Sequence, residues 1–470
     1  MRREPFSSFL EHRSWAGIVA RRPTVLFFMF LAWSIVAQGL WAQATEGSAP
    51  QPKRGLQIRN VSAYASYYSS SLPNRGGFQS APINLGSDLA AGGSAELGWT
   101  RYGERSSFSF TYIPSYIGRV RYSEWNALNH AFSLHASRKL SPQWKFMFSL
   151  GADVSNQDQF LFTPTALSAA AAVPATFDDL SAAMLSRSFN NPQLASVLTS
   201  APLAESPAHN LLYGQRVFTS GAQTSLSYSS SPRFAVTFRA SGGRSQSVDD
   251  TRNSAARSAY LLHNTTSAGA GIDVSYSFSP RTQIGGNVAT NRVASPVLDV
   301  VTTTSTASVG RTIGMRWFLE GHGGVAVANS PRRASFRLPA SSHPVAGGSL
   351  GFKTFTHTFL GSYDRTARDS YGAGAATSSS SSFSWRWGRP GRQWWLESSL
   401  GWEQLQGGAF STAASGWRAT TGLSRRMGTH VVWSMQYAYL DYSGRSQAVY
   451  SRSQSAVRVA MMWSPDPRLQ

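Results

Sequence analysis

The chain has 470 residues and no cysteine, so no disulfide framework holds it, and its length suits two or three soluble domains or one large barrel. Charged residues make up only 14%, against 41 Gly, 15 Trp, 17 Tyr and 26 Phe. With no apolar run long enough for a spanning helix after residue 44, this excludes a helical membrane protein and is poor material for a helical core.

Residues 1–44 have the layout of a secretory signal peptide. Arg21 and Arg22 precede an apolar run from Val25 to Val36, which ends at Ala42-Gln43-Ala44, a small-x-small cleavage site. The run is shorter than the ~20 residues of a retained anchor helix, so the mature chain is expected to begin at Thr45. Arg2-Arg3 and Arg21-Arg22 also suggest twin-arginine export, but that route carries folded cargo and the rest of the chain reads as one that folds in a membrane, so the general secretory route is preferred. The segment carries a surplus of 3 positive charges, which leaves 17 of the formal +20 on the mature chain. An exported protein rarely meets nucleic acid, so this excess reads as contact with anionic lipid headgroups. Residues 45–57 form a periplasmic linker.

From residue 58 the chain alternates apolar and small polar residues in segments of ~10. Phe108, Phe110 and Tyr112 interleave with Ser107, Ser109 and Thr111. Trp144, Phe146, Phe148, Leu150 and Ala152 oppose Lys145, Met147, Ser149, Gly151 and Asp153. Phe234, Val236 and Phe238 oppose Thr237 and Arg239; Ile272, Val274, Tyr276 and Phe278 oppose Asp273, Ser275 and Ser277; Phe383, Trp385 and Trp387 oppose Ser382, Ser384 and Arg386. Successive side chains on a strand point to opposite faces, so each segment is a strand with one apolar face. A soluble sandwich alternates too. Here, however, the apolar set is rich in aromatics near segment ends, as interfacial girdles are, and the polar set is too small to pack a core.

The connections alternate short and long. Ser141-Pro142, Ser231-Pro232 and Ser279-Pro280 each end a strand, because Pro fixes φ and lacks a ladder donor. Further short turns fall at Gly103-Glu104, near Gly314, near Lys353-Thr354, at Arg389-Pro390-Gly391 and at Met427-Gly428. Eight short turns and nine longer loops require 18 strands. Sixteen would follow if one of the Gly-rich pairs around 281–292 or 345–363 were no hairpin. The expectation is an all-β, transmembrane antiparallel up-and-down barrel over residues 58–463, with a tail at 464–470.

Residues 157–211 form the longest loop, the third on the external side. It contains a helical stretch near Phe177–Phe189, with Asp178 and Asp179 in its first turn and Arg187 in its last, where they complement the dipole. General porins are similar in topology, and the resemblance implies a third loop that folds into the lumen; a cap over the mouth or a partner site is the equal alternative. The last strand places Val457, Val459, Met461 and Trp463 on one face. This resembles the C-terminal assembly signal of bacterial outer-membrane barrels, and implies recognition by the barrel assembly machinery, although Ser464–Gln470 follow it here.

The strand pattern points Glu96, Lys145, Asp153, Arg239, Asp273, Glu320, His322, Lys353, Arg386, Glu397, Glu403, Arg418 and Arg458 into the lumen. The bases in excess lie instead at the short turns, as Arg138-Lys139, Arg233, Arg281, Arg316, Arg389, Arg392 and Arg425-Arg426. They read either as an anion-selective mouth or as contact with anionic lipid. Glu320 and His322 share a face, but a metal site needs three or four ligands. No Ser, His and acid spacing marks a hydrolase, and no Gly-rich phosphate loop opens a helix, so neither catalysis nor a cofactor is expected. On Trp385-Arg386-Trp387 the two Trp face lipid, which argues against stacking on nucleic-acid bases. The expected function is a passive, porin-like diffusion channel for small polar solutes in a bacterial outer membrane. The alternative is a non-conducting envelope protein that partners with surface-polysaccharide export or assembly.

Overall fold

A computed structural model describes residues 55–69, 87–121, 123, 126–156, 216–248, 264–295, 299–314, 316–331, 340–369, 375–388, 393–406, 414–444 and 452–465. The expected signal, with Ala42 and Ala44, most of the linker, and the 157–211 loop, with Asp178, Asp179 and Arg187, lie outside them.

Eighteen strands form one sheet: β1 (Gly55–Tyr68), β2 (Asp88–Tyr102), β3 (Ser106–Arg119), β4 (Ala127–Lys139), β5 (Trp144–Asn156), β6 (Arg216–Ser231), β7 (Phe234–Ser247), β8 (Thr265–Ser279), β9 (Thr282–Ala294), β10 (Asp299–Ile313), β11 (Trp317–Asn329), β12 (Ser341–Lys353), β13 (His357–Asp369), β14 (Ala375–Gly388), β15 (Trp394–Gln406), β16 (Ala414–Met427), β17 (Val431–Gly444) and β18 (Arg452–Trp463). Each pairs antiparallel with the next, and β1 closes on β18 from Val61 opposite Trp463 to Tyr68 opposite Ala456. Closure leaves no backbone edge for lipid to meet. The two Gly-rich pairs that could have reduced the count to 16 are strands β9, β12 and β13, and β1 starts at Gly55, ahead of residue 58.

Register carries each face around the wall. Phe146, Leu226, Phe238, Ile272 and Val288 are direct partners in turn from β5 to β9. Phe238, Ile272 and Val288 remain 44%, 46% and 51% exposed, a band of large apolar side chains that only a bilayer covers. Near the short turns this face becomes aromatic. Trp317 packs on Phe352 at 4.3 Å between ring centroids, and Phe359 stacks with Phe352 at 6.2 Å and with Trp385 at 6.4 Å. The opposite face, of hydroxyls, glycine and charge, turns inward. The chain is a transmembrane β-barrel of the outer-membrane type.

The three Ser-Pro turns use one device. The hydroxyls of Ser141, Ser231 and Ser279 accept from the backbone N–H of Gln143, Arg233 and Arg281 at 3.2, 3.3 and 3.2 Å. The side chain thus mimics a backbone turn where Pro has removed a donor. Gly314 and Gly428 hold φ of 62° and 81° in two other turns, a conformation that favours glycine. The turns are tied to one another: Lys139, Ser277, Thr312 and Lys353 donate backbone N–H groups to the carbonyls of Arg105, Arg233, Arg281 and Arg316. At the C-terminus Ser464 donates its N–H to the His430 carbonyl at 2.9 Å and its hydroxyl to the Arg59 carbonyl at 2.7 Å. The tail's first residue therefore locks β18 between β17 and β1.

Candidate functional site: the inner wall

All twelve inward candidates, and Glu403, occupy inward register positions, and several meet across strands. Arg239 on β7 and Asp273 on β8 form an ion pair, and Asn287 on β9 donates to Asp273 at 2.8 Å. Arg386 on β14 stands directly opposite Glu397 on β15, with 3.3 Å between charged atoms. Glu320 and His322 on β11 are 3.6 Å apart, and Ser349 donates to the other Glu320 oxygen at 3.0 Å. Glu96 accepts from Arg59 at 3.3 Å and from Asn60. The Arg458 guanidinium lies 4.3 Å over the Tyr64 ring and donates to Ser66 at 3.2 Å. Lys145 opposite Ser227, Asp153 opposite Thr219, Lys353 opposite Thr358, Arg418 opposite Gly401 and Glu403 opposite Gly416 are spread around the wall.

The wall also holds residues that alternation did not single out. Asp364 on β13 reaches His322 Nε2 at 3.2 Å, so the imidazole lies between two carboxylates. Its nitrogens are engaged from opposite sides, and among the described residues no group of three or more such side chains is arranged to hold a metal. Arg59 turns inward because the β1–β2 register shifts between Ile58 and Asn60, which places two consecutive residues on the inner side. An unbroken alternation would hide that. Arg119 and Asp88 form an ion pair at 3.1 Å with both side chains 0% exposed, and Arg119 lies 4.7 Å over the Tyr68 ring. The Arg121 N–H adds a bond to Asp88 at 3.0 Å. Removing one partner of such a pair leaves an uncompensated buried charge.

Toward the long-loop end the inner wall changes character. Tyr68, Ala90, Ile117, Ala127, Ala438, Leu440 and Ala456 form one buried apolar cluster from β17 through β1 to β4. Tyr68 and Ile117 are 0% exposed although both face inward. Toward the short turns the inner face stays polar: Lys145 and Lys353 are exposed, Ser277, Gln283, Ser384 and Ser424 are buried, and hydroxyl pairs such as Ser362 with Ser382 lie 2.6 Å apart. The signal for the apolar cluster, an apolar residue out of phase at a strand end as at Ile117, is weak, because phase is least certain there.

Chemically the wall offers fixed, locally compensated charges and hydroxyls. Arg239, Arg386 and Arg59 are each answered by a carboxylate on a neighbouring strand, at separate places around the wall.

No protein-family model matches the chain, and no curated protein matches it. Solved structures similar in fold include OpdK of Pseudomonas aeruginosa crystallised with vanillate, at 10% identity over 86% of this chain and 97% of that one, with a TM-score of 0.44. A BenF-like porin of Pseudomonas fluorescens Pf-5 is 11% identical over 87% and 98%, with a TM-score of 0.44. OccAB4 of Acinetobacter baumannii is 9% identical over 86% and 97%, also at 0.44. Likeness at this level carries no argument about what this chain does.

Proposed function

We propose that the chain is an outer-membrane channel through which small polar solutes diffuse passively. The observation that carries this reading is the inner wall of an 18-strand barrel lined by hydroxyl, glycine and ion-paired side chains. Barrels of this strand number leave an aqueous channel, and side chains as small as Ser349, Ser362 and Ser382 are too short to fill one. Selection is by diameter and by fixed charge, with no chemical step. The buried apolar cluster around Tyr68, Ile117 and Leu440 supports a path that narrows in its long-loop half. The test is swelling of proteoliposomes in sugars of graded size: the rate should fall with solute size, and an absence of swelling with the smallest sugar would sink the reading.

That same cluster favours the second reading, a non-conducting envelope barrel that serves a surface-polysaccharide export partner. There the long-loop half is closed. The two readings divide on whether folded protein conducts.

A further inference from the structure

The outward face is not apolar to its ends. Arg101, Arg138, Arg311 and Arg425 all hold outward register positions in the last residues before short turns, and all four are exposed. Arg101 is paired with Phe108 and Arg138 with Phe146. The Arg425 guanidinium lies 4.8 Å over the Trp394 ring. No Asp or Glu occupies an outward position in the short-turn half of any described strand, and Glu104 is the one acid in a described short turn. On β16 the outward face runs from Trp417 to Arg425, about 27 Å along the strand at ~3.4 Å per residue and ~20 Å across a bilayer after tilting by ~40°. The arginines therefore stand where hydrocarbon gives way to headgroups. The Arg425 guanidinium is held by the Trp394 face on one side and offers its fork of donors to the other, a geometry suited to phosphate.

We propose that Arg101, Arg138, Arg311 and Arg425 form a binding belt for the phosphates of anionic phospholipid in the leaflet on the short-turn side. The belt fixes the depth of the barrel and recruits an anionic lipid shell at that interface. It rests on the barrel spanning a membrane and is independent of conduction, so a silent channel leaves it standing.

The test reconstitutes the full chain in phosphatidylcholine vesicles containing a fraction of phosphatidylglycerol. Competition between brominated phosphatidylglycerol and brominated phosphatidylcholine is read by quenching of tryptophan fluorescence. The unaltered protein should prefer phosphatidylglycerol by about fivefold for each arginine engaged, and the preference should collapse at about 1 M salt, where the Debye length is ~3 Å. The combined Arg101→Gln, Arg138→Gln, Arg311→Gln, Arg425→Gln variant should lose most of that preference, whereas Lys145→Gln with Lys353→Gln, which removes inward charge, should retain it. A preference that survives the fourfold change or persists at high salt would overturn the belt, as would its absence from the unaltered protein. If the fourfold variant fails to fold, the single Arg425→Gln variant decides in its place: it should lower the preference about fivefold, and an unchanged preference would overturn the belt.

Discussion

His322 lies across β12 because residue 347 on that strand is glycine. A Cβ at Gly347 would stand 2.5 Å from His322 Cε1, 2.8 Å from its Nε2 and 2.8 Å from the Tyr363 carbonyl oxygen. His322, Gly347 and Asp364 are direct partners in sequence across β11, β12 and β13, so the imidazole passes over the glycine to meet Asp364 at 3.2 Å. One missing side chain thereby joins two strands that do not touch by backbone pairing.

Gly347→Ala should therefore displace the ring and break its contact with Asp364. The expected loss is about 1 kcal/mol in urea unfolding from vesicles, the worth of a charge-assisted bond in a partly hydrated site. The decisive control is His322→Ala: in that background Gly347→Ala should cost much less, since only the Tyr363 carbonyl remains crowded. Equal cost in both backgrounds would show that the glycine serves the backbone alone.

The faces of β5 make a directional prediction. Phe148 pairs with Thr224 on the outward side, and its neighbour Ser149 pairs inward with Gln223 and lies 3.0 Å from His135 Nδ1. Phe148→Arg should lower folding stability by ~2–4 kcal/mol at mid-bilayer depth. Ser149→Arg should cost only its bond to His135. Equal tolerance at the two positions, measured by folding yield into lipid vesicles, would contradict the assigned faces.

The buried pair at the long-loop end should be asymmetric under mutation. Arg119→Met strands Asp88, which is 0% exposed, and should destabilise the barrel by about 3–5 kcal/mol. Replacing both, as Arg119→Met with Asp88→Asn, should recover part of that loss. A double variant no more stable than the single one would mean that Arg119 acts through its stacking on Tyr68.

Much of this architecture was legible in the sequence, for a physical reason. A strand in lipid must alternate, and turn residues such as Ser141-Pro142 and Gly428 punctuate it, so count, faces and hairpin order follow from period and punctuation. The inward direction of Arg386 and Glu397 was readable strand by strand. Their partnership was not, because it depends on register between strands. The same holds for Asp364 with His322 and for Arg119 with Asp88. The bulge at Ile58–Asn60 changes phase within one strand, which hid Arg59. The inward cluster of Tyr68, Ile117 and Leu440 was misleading in kind: in a lipid-facing pattern an apolar residue reads as outward, and only its register placed it inside.

Ion selectivity tests whether the paired wall charges face a conducting path. Arg386→Gln removes the cation opposite Glu397 and leaves an acid on the inner wall. Reversal potentials in a salt gradient should shift toward cation selectivity, and Glu397→Gln should shift them the other way. Shifts of the same sign in both variants would place the pair away from the ion path.

The central claim is that the barrel holds a continuous aqueous path, and single-channel recording of the purified, folded protein in planar bilayers tests it most directly. The account predicts discrete openings whose conductance rises with bulk salt. Insertion of folded barrels with no conductance at any voltage would contradict it and favour the closed, non-conducting reading.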